Sequence, residues 1–302
     1  MNYSETMRPK AKKKKIRAYD FVIFIVLLLS GIVLLYPFVY ILSASLTDSY
    51  TFFTEGVILL PKKLTLDNYA AVFAMKNISL AFFVSVSRTV LGTLVSVLLI
   101  SMLAYGLCDK KLKGRSFFIK FFFLTTIFNG GMIPYVVVLQ GLNLMDNYWV
   151  YILPAVYSFF NMIIIRTNFE GIPSTIEEAA KLDGANELTV LIRIIVPISM
   201  PFMATFFLFY AVERWNEWYQ SFLYINKTEL QPLQIYLRNV LISMSNNLSA
   251  IAKQMMRDHT QKVSSQAIQM ATIVVTTIPI LCVYPFVQKH FVKGVMIGGI
   301  KE

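Results

Sequence analysis

The chain has 302 residues, of which 56% are hydrophobic, and it carries a formal net charge of +11. Soluble domains are about 45–50% apolar, so this composition excludes an ordinary water-soluble fold and favours a membrane protein. A positive charge also suits nucleic acid, but no basic soluble domain is present to bind it, and we expect no nucleic-acid partner. The charge instead indicates basic segments beside a membrane, where they meet anionic lipid head groups.

Six apolar stretches are long enough to cross a bilayer, which takes about 20 mostly apolar residues in a helix. They predict an all-α membrane protein with six transmembrane helices in one domain. The first stretch follows a basic start, as in a signal peptide, but its apolar run over 19–42 exceeds the about 7–15 residues of a signal, so we expect a retained span. The predicted spans are roughly 19–43, 80–107, 117–140, 149–169, 196–219 and 266–288.

Basic residues give the orientation, because short cytoplasmic loops accumulate Lys and Arg. With the N-terminus inside, most of the 28 Lys and Arg residues fall in cytoplasmic segments, and the C-terminus is also inside. An external loop over 213–262 takes most of the others, and Arg88 lies within the second span. The predicted organisation is a basic cytoplasmic segment at 1–18, a membrane domain at 19–290 and a cytoplasmic tail at 291–302.

No catalytic or metal site can be assembled from this topology. Cys108 and Cys282 have no neighbour at metal-ligand spacing, and His259 and His290 fall on opposite sides of the membrane. A glycine-rich phosphate loop is also missing from the sequence. We therefore expect a non-enzymatic chain that binds no cofactor or metal, and any transport must draw energy from a gradient or from another subunit.

The polar stretch at about 170–197, between the fourth and fifth spans, has the pattern of an ordered surface element. Ser174 and Glu177 have the spacing of a capping box, and Gly184 supplies the left-handed conformation that commonly ends a helix. These residues predict a helix over 175–183 on the cytoplasmic surface. Ala179 and Ala180 give that helix a side with little bulk, which suits a groove on another protein.

A second helix is predicted directly after the first. Asn186 is its expected cap, and it should run to Ile195, before Pro197 redirects the chain into the fifth span. Acidic residues outnumber basic ones in this stretch, against the cytoplasmic pattern. A solvated loop with no partner is the alternative, but it needs no such series of start and stop residues.

Several residues of this stretch, and segments elsewhere, share one known pattern. The pattern consists of Glu178, Ala179, Ala180, Asp183, Gly184, Ala185, Ile194 and Pro197, together with segments 129–134, 141–144, 152–154, 215–217, 224–234 and 291–294. They resemble the EAA motif and flanking segments of permease subunits of binding-protein-dependent ATP-binding cassette (ABC) importers. Leu191 and Val196 replace an aromatic residue and a leucine of the motif, both conservatively. The resemblance favours the carbohydrate-uptake branch, on the side of the second permease of maltose-type, multiple-sugar and polysaccharide systems.

The resemblance implies a division of labour within a bacterial plasma membrane, that of a Gram-positive organism. An extracellular solute-binding protein, expected to be a lipoprotein, delivers a sugar, and this subunit forms a heterodimeric pathway with a homologous second permease. Two cytoplasmic ATPase subunits use ATP and Mg and each hold one coupling helix. The implied cargo is an oligosaccharide, with a non-sugar solute as the alternative. The implied coupling residues are Glu177, Glu178, Ala179, Ala180, Leu182, Asp183, Gly184 and Ala185.

Side chains suited to sugar recognition are present in and near the spans. Aromatic faces and amide groups are the chemistry that sugars require, but an aromatic belt at the membrane interface also explains Trp215, Trp218 and Tyr219. Gly130 and Gly131 interrupt the third span, either to open a cavity or to allow close helix packing. The candidate pathway residues are Asn129, Tyr135, Tyr157, Asn161, Trp215 and Asn216.

Arg88 and the tail at 291–302 each carry two interpretations. An ionisable residue within a span is a functional candidate, and Arg88 either reaches towards the interface or pairs within the bundle. In maltose-type relatives the corresponding tail reaches between the ATPases, and a basic anchor is the alternative.

A secondary transporter is the rival class for the whole chain, but it requires membrane-embedded carboxylates for ion coupling, whereas the acidic residues here lie in loops or at span ends.

Overall fold

The computed structural model describes residues 18–48, 51, 61, 63–75, 77–128, 130–242 and 265–298. Over these ranges the chain is helical, and its one strand-like pairing is an isolated bridge between Thr47 and Leu64. The all-α prediction is confirmed. The predicted basic segment, apart from its last residue, the end of the predicted tail at 299–302 and part of the long predicted loop, at 243–264, lie outside the described residues.

The helices alternate between long apolar ones and short connecting ones. Short 3-10 helices occupy Tyr148–Tyr151, Leu153–Ala155 and Thr228–Leu230. The α-helices are α1 (Ala18–Ser45), α2 (Asp67–Phe73), α3 (Ile78–Gly106), α4 (Arg115–Ile127), α5 (Met132–Gly141), α6 (Phe159–Glu170), α7 (Ser174–Leu182), α8 (Glu187–Ile198, with a π-helical part at Leu191–Ile195), α9 (Met200–Asn216), α10 (Tyr219–Tyr224), α11 (233–242) and α12 (Ser265–Gly298).

Three of the predicted spans are continuous helices and three are bent pairs. Tyr19–Ser45, Ile78–Gly106 and Gln266–Val283 are each long and apolar enough to cross a membrane. The third, fourth and fifth predicted spans correspond to helix pairs bent by 117° (α4 and α5), 54° (Tyr148–Ala155 and α6) and 91° (α8 and α9). Counting each bent pair as one span gives up to six among the described residues.

Local backbone chemistry accounts for the bends, which composition windows do not detect. Gly131, before α5, has a φ of +84°, a conformation that residues with a Cβ rarely adopt. Proline occupies one of the first two positions of Leu153–Ala155 and of α9, where its missing N–H costs no helical hydrogen bond. The last helix continues to Gly298, so the predicted tail at 291–302 begins as a continuation of α12.

Helix α3 is the axis of the packed bundle. It contacts α6 and α9, and α9 also packs against α12, which in turn contacts α1. The apolar window of α1 is 0% buried, as expected for a helix whose side chains face lipid. With 29 residues, α3 is about 44 Å long, so it connects two distant ends of the molecule.

Each end of α3 has its own hydrophobic core. Near its C-terminus, Ile100 and Ala104 pack with Ile165, Ala180 and Val190, and we call residues 105–115 and 170–190 the EAA end. Near its N-terminus, buried residues of α3 pack against the segment 148–155 and the chain after α9. We call residues 78–88, 148–155 and 214–238 the arginine end.

Candidate functional site

The helix of the EAA motif lies one residue earlier than expected, as α7 at Ser174–Leu182. The predicted capping box is wrong: Pro173 occupies the cap position, and no side chain there bonds to the backbone. The carboxylate of Glu177 has other partners instead. It accepts a hydrogen bond from the Tyr105 hydroxyl at 2.9 Å and pairs with Lys181 at 2.8 Å.

The end of α7 and the start of α8 form as the sequence predicts. Gly184 has a φ of +86°, so it provides the left-handed turn after α7. The side chain of Asn186 caps α8 by accepting from the backbone N–H of Thr189 at 2.8 Å. The second helix, however, runs past the predicted end at Ile195 to Ile198, because Pro197 occupies an early position of a new helical turn and the bend follows it.

The EAA residues divide into a buried side and an exposed side. Ala180 is buried in the core of the EAA end, and Ala185 packs against the same core. The predicted low-bulk side of Ala179 and Ala180 is therefore wrong, because Ala180 faces its own protein and only Ala179 faces outward. Leu182, at the tip, is 89% exposed. The exposed residues of the motif are Glu178, Ala179, Leu182, Asp183 and Gly184.

A polar cluster fastens α7 to the end of α3. The Tyr105 hydroxyl lies 2.9 Å from a carboxylate oxygen of Glu177 and 2.8 Å from one of Glu187. Lys181 pairs with both carboxylates, at 2.8 Å and 2.7 Å. The hydrogen bonds that the Lys181 ammonium donates to Glu177 and to Glu187 raise the pKa of Lys181, which stays charged. Because Lys181 is 41% exposed, each ion pair contributes only about 0–1 kcal/mol.

A cavity of about 1350 Å³ opens beside this cluster, between the loop after α3 and the segment joining α6 to α7. Glu170 lies in its wall and pairs with Arg115 at 2.7 Å and with Arg166 at 2.8 Å. Arg115 also donates to the carbonyl of Leu107 at 2.8 Å. These contacts hold the start of α4 and the end of α6 to the same end of α3.

The candidate pathway residues do not form one cluster. Among the described residues, no hydrogen bond or ring contact joins any two of them, and Asn129 lies outside the described residues. The ring of Tyr135 meets that of Tyr224 with centroids 5.8 Å apart, and the Tyr157 hydroxyl donates to the Phe122 carbonyl at 3.2 Å. Their part in a pathway stays a prediction.

The three other pathway candidates lie on or beside α6 and α9. Trp215 is buried and donates through Nε1 to the Thr276 carbonyl at 3.1 Å, which ties α9 to α12. Asn216 is exposed and donates to the Val212 carbonyl at 2.9 Å. Asn161 lies in the first turn of α6, where its N–H bonds to the Ser158 hydroxyl. The structure thus gives Trp215 a packing contact and leaves the amide of Asn216 at the surface.

Arg88 pairs within the bundle, the second of its two expected interpretations. Its side chain is 2% exposed, lies 3.5 Å from the Glu217 carboxylate and stacks over the Tyr151 ring at 5.0 Å. Its Nη2 also donates to the carbonyls of Trp215, at 3.4 Å, and of Glu217. This set joins α3, the segment 148–155 and the end of α9 through one side chain.

The location predicted from the sequence is wrong for a second buried arginine. The prediction put Arg214 in the external loop, but it lies in the last turn of α9 and is buried. It donates to the Tyr151 carbonyl at 2.7 Å, to the Ser96 hydroxyl at 3.1 Å and to the carbonyl of Ala155. These carbonyls belong to a bent segment whose backbone oxygens have no regular α-helical partners, so the guanidinium compensates for them.

Comparison with known proteins identifies the family. The chain matches no protein-family model. It is 40% identical over 287 residues to the polygalacturonan/rhamnogalacturonan transport system permease protein YtcP of Bacillus subtilis, covering 95% of this chain and 99% of that protein. It also matches a solved chain of a bacterial ABC transporter involved in the import of the acidic polysaccharide alginate, with a TM-score of 0.83, 30% identity and 93% and 99% of the two chains covered. The chain belongs to the ABC importer permeases of carbohydrate uptake.

A further relative supports this membership over the same length. The permease is 40% identical over 271 residues to the protein LplC of Bacillus subtilis, covering 90% of each chain. Both comparisons extend across the EAA end and the arginine end. The permease is therefore a membrane subunit of a carbohydrate transport system, and its bent helices belong to a fold shared with the alginate importer.

Proposed function

We propose that this permease forms, with a homologous second permease, the pathway of an importer for an oligosaccharide in the plasma membrane of a Gram-positive bacterium. An extracellular binding protein, a lipoprotein, delivers the sugar. The names of two relatives from Bacillus subtilis support this class of cargo. One is named for the transport of polygalacturonan and rhamnogalacturonan, and the other for the transport of arabinooligosaccharides. The basic N-terminal segment and the last helix lie with their ends on the cytoplasmic side.

The exposed tip of α7 is the observation that carries the coupling part of the proposal. Leu182 is a large apolar side chain with 89% of its surface exposed on a polar, charged helix. Exposed leucines on membrane helices face lipid. Helix α7, however, is a short helix in a connection between apolar segments, so lipid contact does not explain the exposure of Leu182. Leu182, Glu178 and Asp183 would enter a groove of an ATPase subunit, and Gly184 fixes the turn that presents them.

Force from the ATPases would pass through the polar cluster at the base of α7. Two ATPase subunits hydrolyse ATP with Mg, and each would hold one coupling helix, while this chain contributes no cofactor. Movement of α7 pulls on Glu177 and Lys181, and through the Tyr105 hydroxyl on the end of α3. Because α3 runs to the arginine end, its displacement reaches the opposite side of the bundle as a rigid-body motion.

The test is Leu182→Glu in the importer reconstituted into vesicles with its partner subunits and binding protein. We expect sugar uptake and sugar-stimulated ATP hydrolysis to fall at least tenfold. The stability of the isolated permease should change by less than about 0.5 kcal/mol, as for other surface substitutions. Gly184→Val should also lower coupling, because its φ of +86° is strained for a β-branched residue.

Leu66→Glu is the matched control, because Leu66 is 69% exposed and lies outside the EAA end. It should leave uptake at the wild-type level. The assignment of α7 as the coupling element would be wrong if Leu182→Glu kept wild-type uptake. It would also be wrong if Leu66→Glu lost as much uptake as Leu182→Glu.

A further inference from the structure

An arginine on α11 stacks on two exposed aromatic rings of the arginine end. The guanidinium carbon of Arg238 lies 3.9 Å from the centroid of the Phe222 ring and 5.1 Å from that of Trp218. The two rings are themselves neighbours, with centroids 6.1 Å apart. Phe222 is 49% exposed and Trp218 is 39% exposed, so ligands can reach this surface.

Arg238 differs in its contacts from the arginines that join helices of the bundle. Arg88, Arg115 and Arg166 each pair with a carboxylate, and Arg214 binds backbone carbonyls. Over the described part of the chain, Arg238 has no carboxylate and no hydrogen-bond acceptor, and its contacts are the two rings. Stacking occupies the flat face of a guanidinium and leaves its N–H edge free, which is the edge that binds carboxylates in a bidentate manner.

The arrangement combines two chemistries needed by one kind of ligand. Exposed aromatic faces cover the C–H face of a sugar ring, as the tyrosine beside them can also do, since Tyr219 is 52% exposed and its ring lies 5.8 Å from that of Trp218. A free guanidinium edge next to those faces binds the carboxylate of a sugar acid. An aromatic belt at the membrane interface accounts for the rings, but it does not account for an arginine that lies over both of them and has no acceptor among the described residues.

We propose that Arg238, Trp218 and Phe222 form a subsite for uronate residues of an acidic oligosaccharide at the arginine end. This inference rests on the proposed function and narrows its cargo from oligosaccharides to acidic ones. It agrees with two relatives whose names state acidic polymers, polygalacturonan and alginate. A role in docking the binding protein is the competing explanation for an exposed arginine.

The experiment measures binding of trigalacturonate and of its neutral methyl ester by calorimetry. It uses the complex of both permeases and the ATPases, without binding protein, so that the binding protein's own selectivity does not contribute. The wild-type complex should bind trigalacturonate about tenfold more tightly than the ester, the size of a hydrogen bond to a charged group. Arg238→Gln should abolish this preference and leave affinity for the ester unchanged, and Phe222→Leu should weaken binding of both.

Lys227→Gln is the matched control, because it removes one exposed positive charge from the same region and should keep the tenfold preference. Arg238→Lys retains the positive charge and should keep part of the preference for trigalacturonate. Such a result would show that substitution at this position does not unfold the complex. An unchanged preference in Arg238→Gln, or no preference in the wild type, overturns the subsite. In a separate titration, the binding protein is added to the complex. If Arg238→Gln weakens only this binding, Arg238 docks the binding protein and the subsite is overturned.

Uptake into vesicles separates this inference from the proposed function. If the wild-type importer with its binding protein transports neutral oligosaccharides but shows no preference for trigalacturonate at the permease, the subsite is overturned and the importer stands. If no oligosaccharide of either kind is transported, the proposed function itself fails.

Discussion

The EAA end and the arginine end use charged side chains in opposite ways. At the EAA end the charges lie at the surface, with Lys181 41% and Glu177 32% exposed. At the arginine end Arg88 is 2% exposed and Arg214 is 5% exposed, and they bind backbone carbonyls at the end of α9 and in the segment 148–155, respectively. The same residue types therefore form loose surface pairs at one end and tightly enclosed joints at the other.

This difference makes the EAA end suited to move and the arginine end suited to stay rigid. An exposed ion pair contributes about 0–1 kcal/mol, so α7 can change its partners at little cost. Breaking the buried Arg88 pair costs about 3–5 kcal/mol. Arg214 has no ion pair over the described residues, but its buried guanidinium would be left unsatisfied without its carbonyl partners, so both joints resist rearrangement. A coupling helix that must follow an ATPase needs the first property, and a fixed frame for sugar binding needs the second.

The largest effect is expected where the Arg88 pair is broken. Glu217→Leu leaves a buried guanidinium without its carboxylate, and we expect the complex to lose about 3 kcal/mol of unfolding free energy. Chemical unfolding in mixed micelles measures the change. Arg88→Met combined with Glu217→Leu should recover much of the loss, because no charge is then left buried.

Glu229→Leu is the control for this experiment, since Glu229 is an exposed carboxylate in the same region and has no ion pair over the described residues. It should change stability by less than about 0.5 kcal/mol. If Glu217→Leu is equally mild, the arginine end is not the rigid part of the molecule, and the contrast between the two ends is lost.

A smaller effect is expected at the EAA end. Tyr105→Phe removes the hydroxyl shared by Glu177 and Glu187, and the stability loss should be about 1 kcal/mol, the value of one hydrogen bond. If the cluster transmits motion, more ATP should be hydrolysed per sugar imported, because α7 moves without α3. Parallel assays of uptake and ATP hydrolysis in vesicles measure this ratio.

Tyr148→Phe also removes one hydroxyl hydrogen bond, to the Ser87 hydroxyl, and it lies at the arginine end, away from α7. It should lower stability by a similar amount and leave the ratio unchanged. Equal ratios in the two variants would mean that Tyr105 has a structural role alone.

The sequence predicted features that depend on neighbouring residues. The long apolar helices, the turn at Gly184 and the cap at Asn186 follow from composition and from residues one to four positions apart. Features that join distant residues were missed. Glu177 forms no capping box because its partner Tyr105 is 72 residues away, and Arg214 is buried because the carbonyl of Tyr151 is 63 residues away. Two arginines near the ends of predicted spans, Arg88 and Arg214, were the available signal.

The smallest effects are expected from pH, and they have opposite signs in two exposed segments. Hydrogen bonds from the backbone N–H groups of Asn226 and Lys227 hold the pKa of Asp146 below its usual range, in the turn after α5. The stabilisation it gives is present above its unfolded pKa of about 3.9 and is lost as pH falls through the folded value. Lys181 has a raised pKa, so its contribution is present below about 10.4 and is lost as pH rises through the higher folded value.

Hydrogen exchange of the two segments, measured from pH 3 to 5 and from pH 9 to 12 after correction for intrinsic rates, tests both signs. Acid should release the contact between Asp146 and the 226–227 backbone, and alkali should loosen α7 while that turn stays protected. Because the hydrogen bond from Lys181 holds the pKa of Glu187 below its usual range, acid also weakens the pairs at α7. Asp146→Asn should therefore remove the acid response of the turn alone, and Lys181→Met the alkaline response of α7. If alkali loosened the Asp146 turn as much as α7, the alkaline response would not come from Lys181, and the difference in sign between the two segments would be lost.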